Sequence, residues 1–488
     1  MNKDSRRSFF KKSGLSLVSF SLLDLRTRFF WPQGRKSKGV PAAIYFTTGC
    51  KVAEVTSHSA VLWTRLCAQE KPNPITHKRV ETVFRHPIDF DEHQPVQYMD
   101  GAVKGVAGWV RATLTAREST LRSDWFPALP EHDFTVQIPF STLQPATTYQ
   151  IKWEAKPTED GLIFVNTGTF QTAPEAHTEK AVQLVTSTCQ YFWSYDDDQR
   201  GFKTYDSMRR LNPDFFVHTG DYVYYDKPGP LATTPEKARH QWHAMDSWPS
   251  LVDFYKSTPA YLLKDDHDLL RDDAYPSSAA YGELTFQDGL KIWRENAPLQ
   301  GTPYRTFRWG QDLQLWLVEG REFRSPNTLP DSPDKTIWGS AQKQWFTRSV
   351  EASDATFKIL FSPTPVVGPD RDKKTDNHAN KAFQSEGTWL RNYLSRQKNM
   401  FVVNGDRHWQ YVSVDKPTGL LEFGSGPVSD AHAQGWNPDE VREEHRFLRV
   451  KGGFLGIQVA REGPKPRITF THYDVDGKPV HEESRVAE

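Results

Sequence analysis

Four short apolar runs limit the folds open to this chain: AVQLVTST, DFFVHTG, PAYLLKD and MFVVNGD. Each has the length of a buried strand and is too short for an ordinary helix. Between the first two, Phe202, Tyr205, Met208 and Leu211 recur at three-residue steps, one face of a helix, so the segment reads as a β-α-β unit. LQLWLVEG and FKILFSP add strands, and residues near 284–296, 338–351 and 386–396 add helices. The order predicts an α/β domain layered around sheet. Reactive residues follow the four runs directly: Cys189; Asp221 and Tyr224; Asp266 and His267; Asp406 and His408. Sheets of this class bind ligands at the C-terminal ends of their strands. Singly, an Asp after Gly is a turn or cap and a buried Cys is a small apolar residue. Their repetition over four strands points to one site.

Upstream, residues 42–174 alternate with period two. In TTYQIKWEA, Tyr149, Ile151 and Trp153 fall on one face, as in a half-buried antiparallel strand. SAVLWTRL, GWVRATLTA and GTFQTAP read the same way, which predicts a β-sandwich over residues 41–175 ahead of the catalytic domain at 180–478. CAQEKPNPITHK and TLRSDWFPALPEHD read as long loops, as do 226–257, 322–337 and 365–385. A hairpin turning near Thr56–His58 would set Cys50 opposite residue 63, so a disulfide to Cys67 is not expected.

The first 40 residues read as an address. Arg6 and Arg7 precede a modest apolar run, LSLVSFSLLDL, closed by Asp24 and Arg26, which resembles a twin-arginine export signal. That run is about half of what a membrane-spanning helix needs, and a periplasmic or secreted protein is expected. The 61 basic residues balance the 61 acidic ones, so no field of one sign recommends nucleic acid or an anionic membrane as partner. A small-molecule substrate and a monomer are the expectation.

STCQYF, FFVHTGDYVYYD, LKDDHDLLRDD and VNGDRHW, preceded by SAVLWTRL and LQPATTYQIKWEA, resemble the PhoD-type alkaline phosphatases and phosphodiesterases of the calcineurin-like metallophosphoesterase superfamily. The resemblance runs from about residue 45 to the C-terminal region. It implies a fibronectin-type-III-like β-sandwich, a two-sheet metallophosphatase domain, and hydrolysis of phosphate esters by a water held between two metals. Asp221 would bridge them. Cys189, Tyr224 and His408 would complete the first site, and Asp266 and Asp406 the second. A phenolate, whose free pKa is near 10, calls for a strongly acidic cation, so Fe³⁺ suits the first site. Three carboxylates suit a hard ion such as Ca²⁺ in the second.

The chain departs from the commoner superfamily pattern with Cys189 and Gln190 for Asp-x-His, Asp266-His267 for Asn-His and Asp406 for a histidine, and FKILFSPTPV ends in Ser362 and Thr364 without a histidine, which argues against Zn²⁺ or Mn²⁺ in the second site. His267 is then free to stabilise charge on the phosphate or protonate the leaving alkoxide. The alternative is that it only orients Asp266. LVEGREFR gives Glu319 and Arg321 where the family tends to carry Asp-x-Arg. Arg321 is a candidate phosphate contact, with a structural salt bridge as the other reading. His218 and Tyr225 read as packing or supporting residues, Arg407 as structural, and Asp196–Asp198 as helix N-terminal decoration. Ser194, Ser362 and Ser425 have no recognisable base for a nucleophilic mechanism. The rival outside enzymology is a surface- or glycan-binding protein with an inactive metallophosphatase domain.

Overall fold

Three sheets organise the chain. The computed structural model describes residues 43–80, 86–117, 119–461, 463 and 465–488, and Pro41–Glu488 cluster as one unit. The leader expected within residues 1–40 lies outside the described residues.

A nine-stranded sheet carries three of the four runs. Its hydrogen-bonded order is Pro479–Val486, Pro466–Tyr473, Phe454–Arg461, Val182–Ser187, Phe215–His218, Ala260–Leu262, Cys50–Ala53, Ala60–Arg65 and Thr135–Phe140. The three runs pair in parallel, with Phe216 opposite both Val185 and Ala260. The seven-stranded sheet runs Arg305–Trp309, Leu313–Leu317, Phe357–Ser362, Met400–Asn404, Leu421–Ser425, Gln410–Val414 and His445–Arg449. Both sets of central strands are covered on two faces, which explains their near-continuous apolar sequences. Leu184, Phe215 and Val217 face Leu315, Ile359, Phe361 and Val403 in the core between the sheets. The alternate residues point outward. Val185, Phe216 and Leu262 pack under Tyr205, Met208, Trp242 and Phe254 on one side, and Trp316, Leu360 and Val402 pack under Phe346, Leu390 and Leu394 on the other.

Strands from the first part of the chain divide between two sheets. Ser119–Arg122, Gly108–Ala116, Thr148–Lys156 and Phe164–Gln171 form a separate sheet, with Phe126–Ala128 paired on Gly108–Ala116. The inward faces alternate as expected, with Tyr149, Ile151 and Trp153 buried. Cys50–Ala53, Ala60–Arg65 and Thr135–Phe140 instead extend the nine-stranded sheet, joined to it where Ala53 meets Ala260. The upstream strands therefore share a ladder with the strands that carry the reactive residues. Cys50 lies opposite Thr64, one residue from the expected register, and the three cysteines are free and buried.

Residues 226–257 are not a loop throughout. They contain the helices Pro235–Asp246 and Pro249–Tyr255. Each begins on a proline, which loses nothing at the first helical position because its missing N–H has no partner there anyway. Thr234 caps the first by accepting from Lys237 N at 3.3 Å. Among the described residues no helix is long and apolar enough to cross a membrane.

Candidate metal centre

The ends of the four runs meet. The thiol of Cys189 donates to Asp221 Oδ2 at 3.4 Å, and the Tyr224 hydroxyl donates to the same oxygen at 3.1 Å. Tyr224 Oη also lies 3.1 Å from His408 Nε2. Ligand atoms of Cys189, Asp221 and His408 lie within 4.8 Å of one another, and so do those of two further groups, Asp221 with Asp265 and Asp406, and Asp221 with Asp266 and His267. Asp221 is the residue common to all three, at the centre of the cluster. Asp266 also falls into a fourth group with Asp272 and Asp273.

Backbone geometry holds these residues where they are. Cys189, Asp221 and Asp406 have φ of 53°, 57° and 66°, in the left-handed region that non-glycine residues seldom occupy. Each such residue costs on the order of 1–3 kcal/mol, and such strain collects at functional sites. The turns are tied together by Cys189 N donating to Gly220 O at 3.1 Å and Gln190 N to Asp221 O at 2.9 Å. Asp268 is the main fastener. Its carboxylate accepts the N–H groups of Tyr222 at 2.7 Å, Asp221 at 2.8 Å, Asp265 at 2.9 Å and Val223 at 3.1 Å.

The electrostatics ask for positive charge. Burial, and then the neighbouring anions Asp221 and Asp406, push the Cys189 thiol up, and burial followed by Asp221 and Cys189 does the same to Tyr224. Asp221 is raised by burial and, more weakly, by Asp266, Asp268 and Asp406, against the opposing pull of His267. Asp406 is pushed up to about 6, chiefly by burial. Asp266 is the exception. Burial opposes its ionisation, but Arg321 and then His267 outweigh it and hold the carboxyl low. Asp221 Oδ1 and Asp265 Oδ2 are buried without a hydrogen-bond partner among the described residues. A thiol, a phenol and four carboxyls gathered in a buried space, with two oxygens unspent, fit a cation site.

The neighbours sort by contact. His267 Nδ1 lies 2.7 Å from Asp226 Oδ1. Burial works against its imidazolium, but Asp226, Asp266 and Asp221 raise it well above the usual range. Arg321 is fully buried, ion-paired through Nε with Asp265 and with Nη2 3.6 Å from Asp266 Oδ1, while Nη1 has no hydrogen-bond partner among the described residues. Glu319 turns inward, accepting from the N–H groups of Arg321 and Glu322. Arg407 reaches back to its neighbour, with Nη1 2.6 Å from Asp406 Oδ2, and also pairs with Asp370. Asp196 Oδ1 accepts Lys203 N at 2.9 Å at the start of the helix Lys203–Arg210, its expected place. Tyr225 accepts from Trp242 Nε1 at 2.8 Å and packs.

Sequence reading passes over two residues. Asp265 shares a group with Asp221 and Asp406, the place assigned from sequence to Asp266. The doubled aspartate in LKDDHD was the available signal. His432 lies 3.0 Å through Nε2 from Tyr224 Oη and 3.4 Å through Nδ1 from Ser194 Oγ. Ser194 thus does have a histidine beside it, contrary to expectation, but it is fully buried behind Tyr224, out of a substrate's reach.

Two facing sheets that gather carboxylates, a thiol, a phenol and imidazole at their strand ends have the donor set of a metal-dependent hydrolase. The sequence profile of the PhoD-like phosphatases matches residues 184–452, and the chain belongs to that family. A solved structure described as that of PhoD is similar over 93% of this chain and 91% of its own, at 16% identity and a TM-score of 0.69. The purple acid phosphatase PPD1 from yellow lupin (Lupinus luteus) seeds is similar over 89% of this chain and 73% of its own, at 8% identity and a TM-score of 0.56. At those identities the likeness is one of fold. No curated protein sequence matches the chain significantly.

Proposed function

We propose that this chain is an exported hydrolase of phosphate mono- or diesters working at a two-cation site. The observation that supports it most is the place of Asp221, whose carboxylate is shared by the thiol–imidazole group and by both carboxylate groups. Asp221 would bridge. Cys189, Tyr224 and His408 would hold one cation, with Fe³⁺ favoured by the thiolate and phenolate. Asp406 would hold the other, with Ca²⁺ favoured by the oxygen donors. Its second carboxylate would be Asp266 on the sequence pattern, although Asp265 is the one grouped with both Asp221 and Asp406. Two such cations supply Lewis-acid activation of water and neutralise charge at the phosphoryl group.

The chain's own residues do the rest. His267, held by Asp226 at 2.7 Å, would donate to a phosphate oxygen or to the leaving alkoxide. Arg321, fully buried, would act through its ion pairs, holding the Asp265–Asp266 pair in place. Residues 1–40 would act as a twin-arginine leader, and the strands of residues 41–175 as a β-sandwich domain bracing the catalytic domain of 180–478. The protein would act as a monomer on a small phosphate ester. A binding role with a dead site has no observation in its favour.

Metal analysis paired with release of nitrophenol from mono- and bis-nitrophenyl phosphate tests the reading. Asp221→Ala should lose both metals and all turnover, while Asp266→Ala should mainly lose the second metal. Equal metal content in wild type and Asp221→Ala would remove Asp221 from the bridge.

A further inference from the structure

Three groups converge on the phenol oxygen of Tyr224: Asp221 Oδ2 at 3.1 Å, His408 Nε2 at 3.1 Å and His432 Nε2 at 3.0 Å. Asp221 and His408 also belong to the thiol group around Cys189, whereas His432 falls in no candidate metal group among the described residues. It reaches Tyr224 from a different element, the short turn Asp430–His432 beyond the strand Leu421–Ser425, which contributes none of the assigned ligands. That turn is well anchored. Asp430 Oδ1 accepts Gly452 N at 2.8 Å, Gly453 N donates to Pro427 O at 2.8 Å, and Thr204 Oγ1 donates to Val428 O at 2.6 Å. The His432 ring sits 4.2 Å from the His408 ring and 5.0 Å from that of Tyr224, centroid to centroid.

We propose that His432 is a positioning residue that donates its Nε2 proton to the Tyr224 oxygen and so sets how much charge that oxygen presents to the first cation. The proposal rests on Tyr224 being a metal ligand. Ser194 Oγ, 3.4 Å from Nδ1, can donate there and leave the ring proton on Nε2. A phenolate oxygen has lone pairs for both a cation and a hydrogen bond, and the bond draws density away from the cation. With the donor removed, the phenolate becomes a stronger donor to Fe³⁺, and its charge-transfer absorption moves to longer wavelength.

The test uses the purified full-length protein with three variants, reading metal content, visible spectrum and turnover. In His432→Phe, which keeps a ring against His408, iron should be retained, the band should move to longer wavelength and turnover should fall roughly tenfold, the lower end for a residue supporting a ligand. His432→Gln retains an amide donor and should move both back toward wild type. An unshifted band in iron-replete His432→Phe overturns the proposal, as does loss of iron from both His432 variants, which would make His432 a ligand. Tyr224→Phe separates the two claims. It should abolish the band, and a band that survives in it, or a colourless wild type with full metal content, overturns the Tyr224 assignment together with the His432 role.

Discussion

Asp226 Oδ1 and His267 Nδ1 lie 2.7 Å apart, and the same carboxylate accepts Asp272 N through Oδ2 at 2.9 Å. Asp226 therefore fixes both the ring it faces and the loop beyond that ring, leaving His267 Nε2 3.9 Å from Asp272 Oδ1. In Asp226→Asn the amide can hydrogen-bond but cannot hold the ring in one orientation as a carboxylate does. Turnover should fall about 10- to 100-fold, the range for losing a group that orients a working histidine. Metal content should stay at the wild-type level, because Asp226 shares no group with Cys189, Asp265 or Asp406. Metal loss in this variant would move Asp226 from orienting His267 to building the cation site.

Asp268 makes the opposite prediction. Four backbone N–H groups from two turns end on one carboxylate, so Asp268→Ala leaves all four buried and unpaired. At about 1–3 kcal/mol for each lost partner, the penalty is a large part of the stability of an ordinary domain. Asp268→Asn keeps one acceptor oxygen and should be intermediate. Denaturant unfolding of both should rank wild type above Asn above Ala. A stable, metal-replete Asp268→Ala would show that the two turns hold their own shape.

The runs and the residues after them were legible because a strand buried on both faces has to be apolar throughout, and a carboxylate at its end stands out. Helices on those strands were legible where the apolar stripe was clean, as in Lys203–Arg210 with Tyr205 and Met208. Pro235–Asp246 and Pro249–Tyr255 were hidden because proline reads as a loop signal until its position at a helix start is known. The strands Phe454–Arg461 and Pro466–Tyr473 carry inward Ile457, Ile468 and Phe470 and were open to the same reading. His432 lies in no motif and reaches Tyr224 only through the meeting of the two sheets. The left-handed backbone at Cys189 has no sequence signal, since cysteine has no preference for that region.

Gly405 gives a prediction about space. A Cβ there would stand 2.5 Å from Thr219 O, 2.8 Å from Pro363 O and 2.8 Å from Thr188 Oγ1. Two of these are backbone atoms, one just before Asp221 and one just after the strand Phe357–Ser362, which cannot swing aside as a long side chain could. Gly405→Ala should therefore displace Asp406 from Asp221. The expected result is a folded protein, about 1–3 kcal/mol less stable as overpacked sites are, with the second metal depleted and little turnover. Wild-type metal content and activity in Gly405→Ala would mean that the three turns adjust freely.

His472, which falls in none of the candidate metal groups among the described residues, supplies a pH prediction. Its Nε2 lies 3.0 Å from Gly424 O, and the ring is buried between the sheets beside Phe447 and His481. Burial lowers its pKa to about 3, partly opposed by the bond to Gly424 and aided by His481. Unfolded, the ring titrates near 6.5. Between those values the unfolded chain binds the extra proton and the folded chain does not, so stability falls as pH is lowered from about 6.5 toward 3. The slope from this residue approaches about 1.4 kcal/mol per pH unit once the unfolded ring is fully protonated. His472→Gln keeps a donor for Gly424 O and removes the titration. Its denaturant midpoint, measured from pH 7.5 to 4.5, should decline less steeply than that of wild type, even if it starts lower. Parallel curves for the two proteins would show that His472 takes up its proton equally in both states, and would remove it as a source of acid lability.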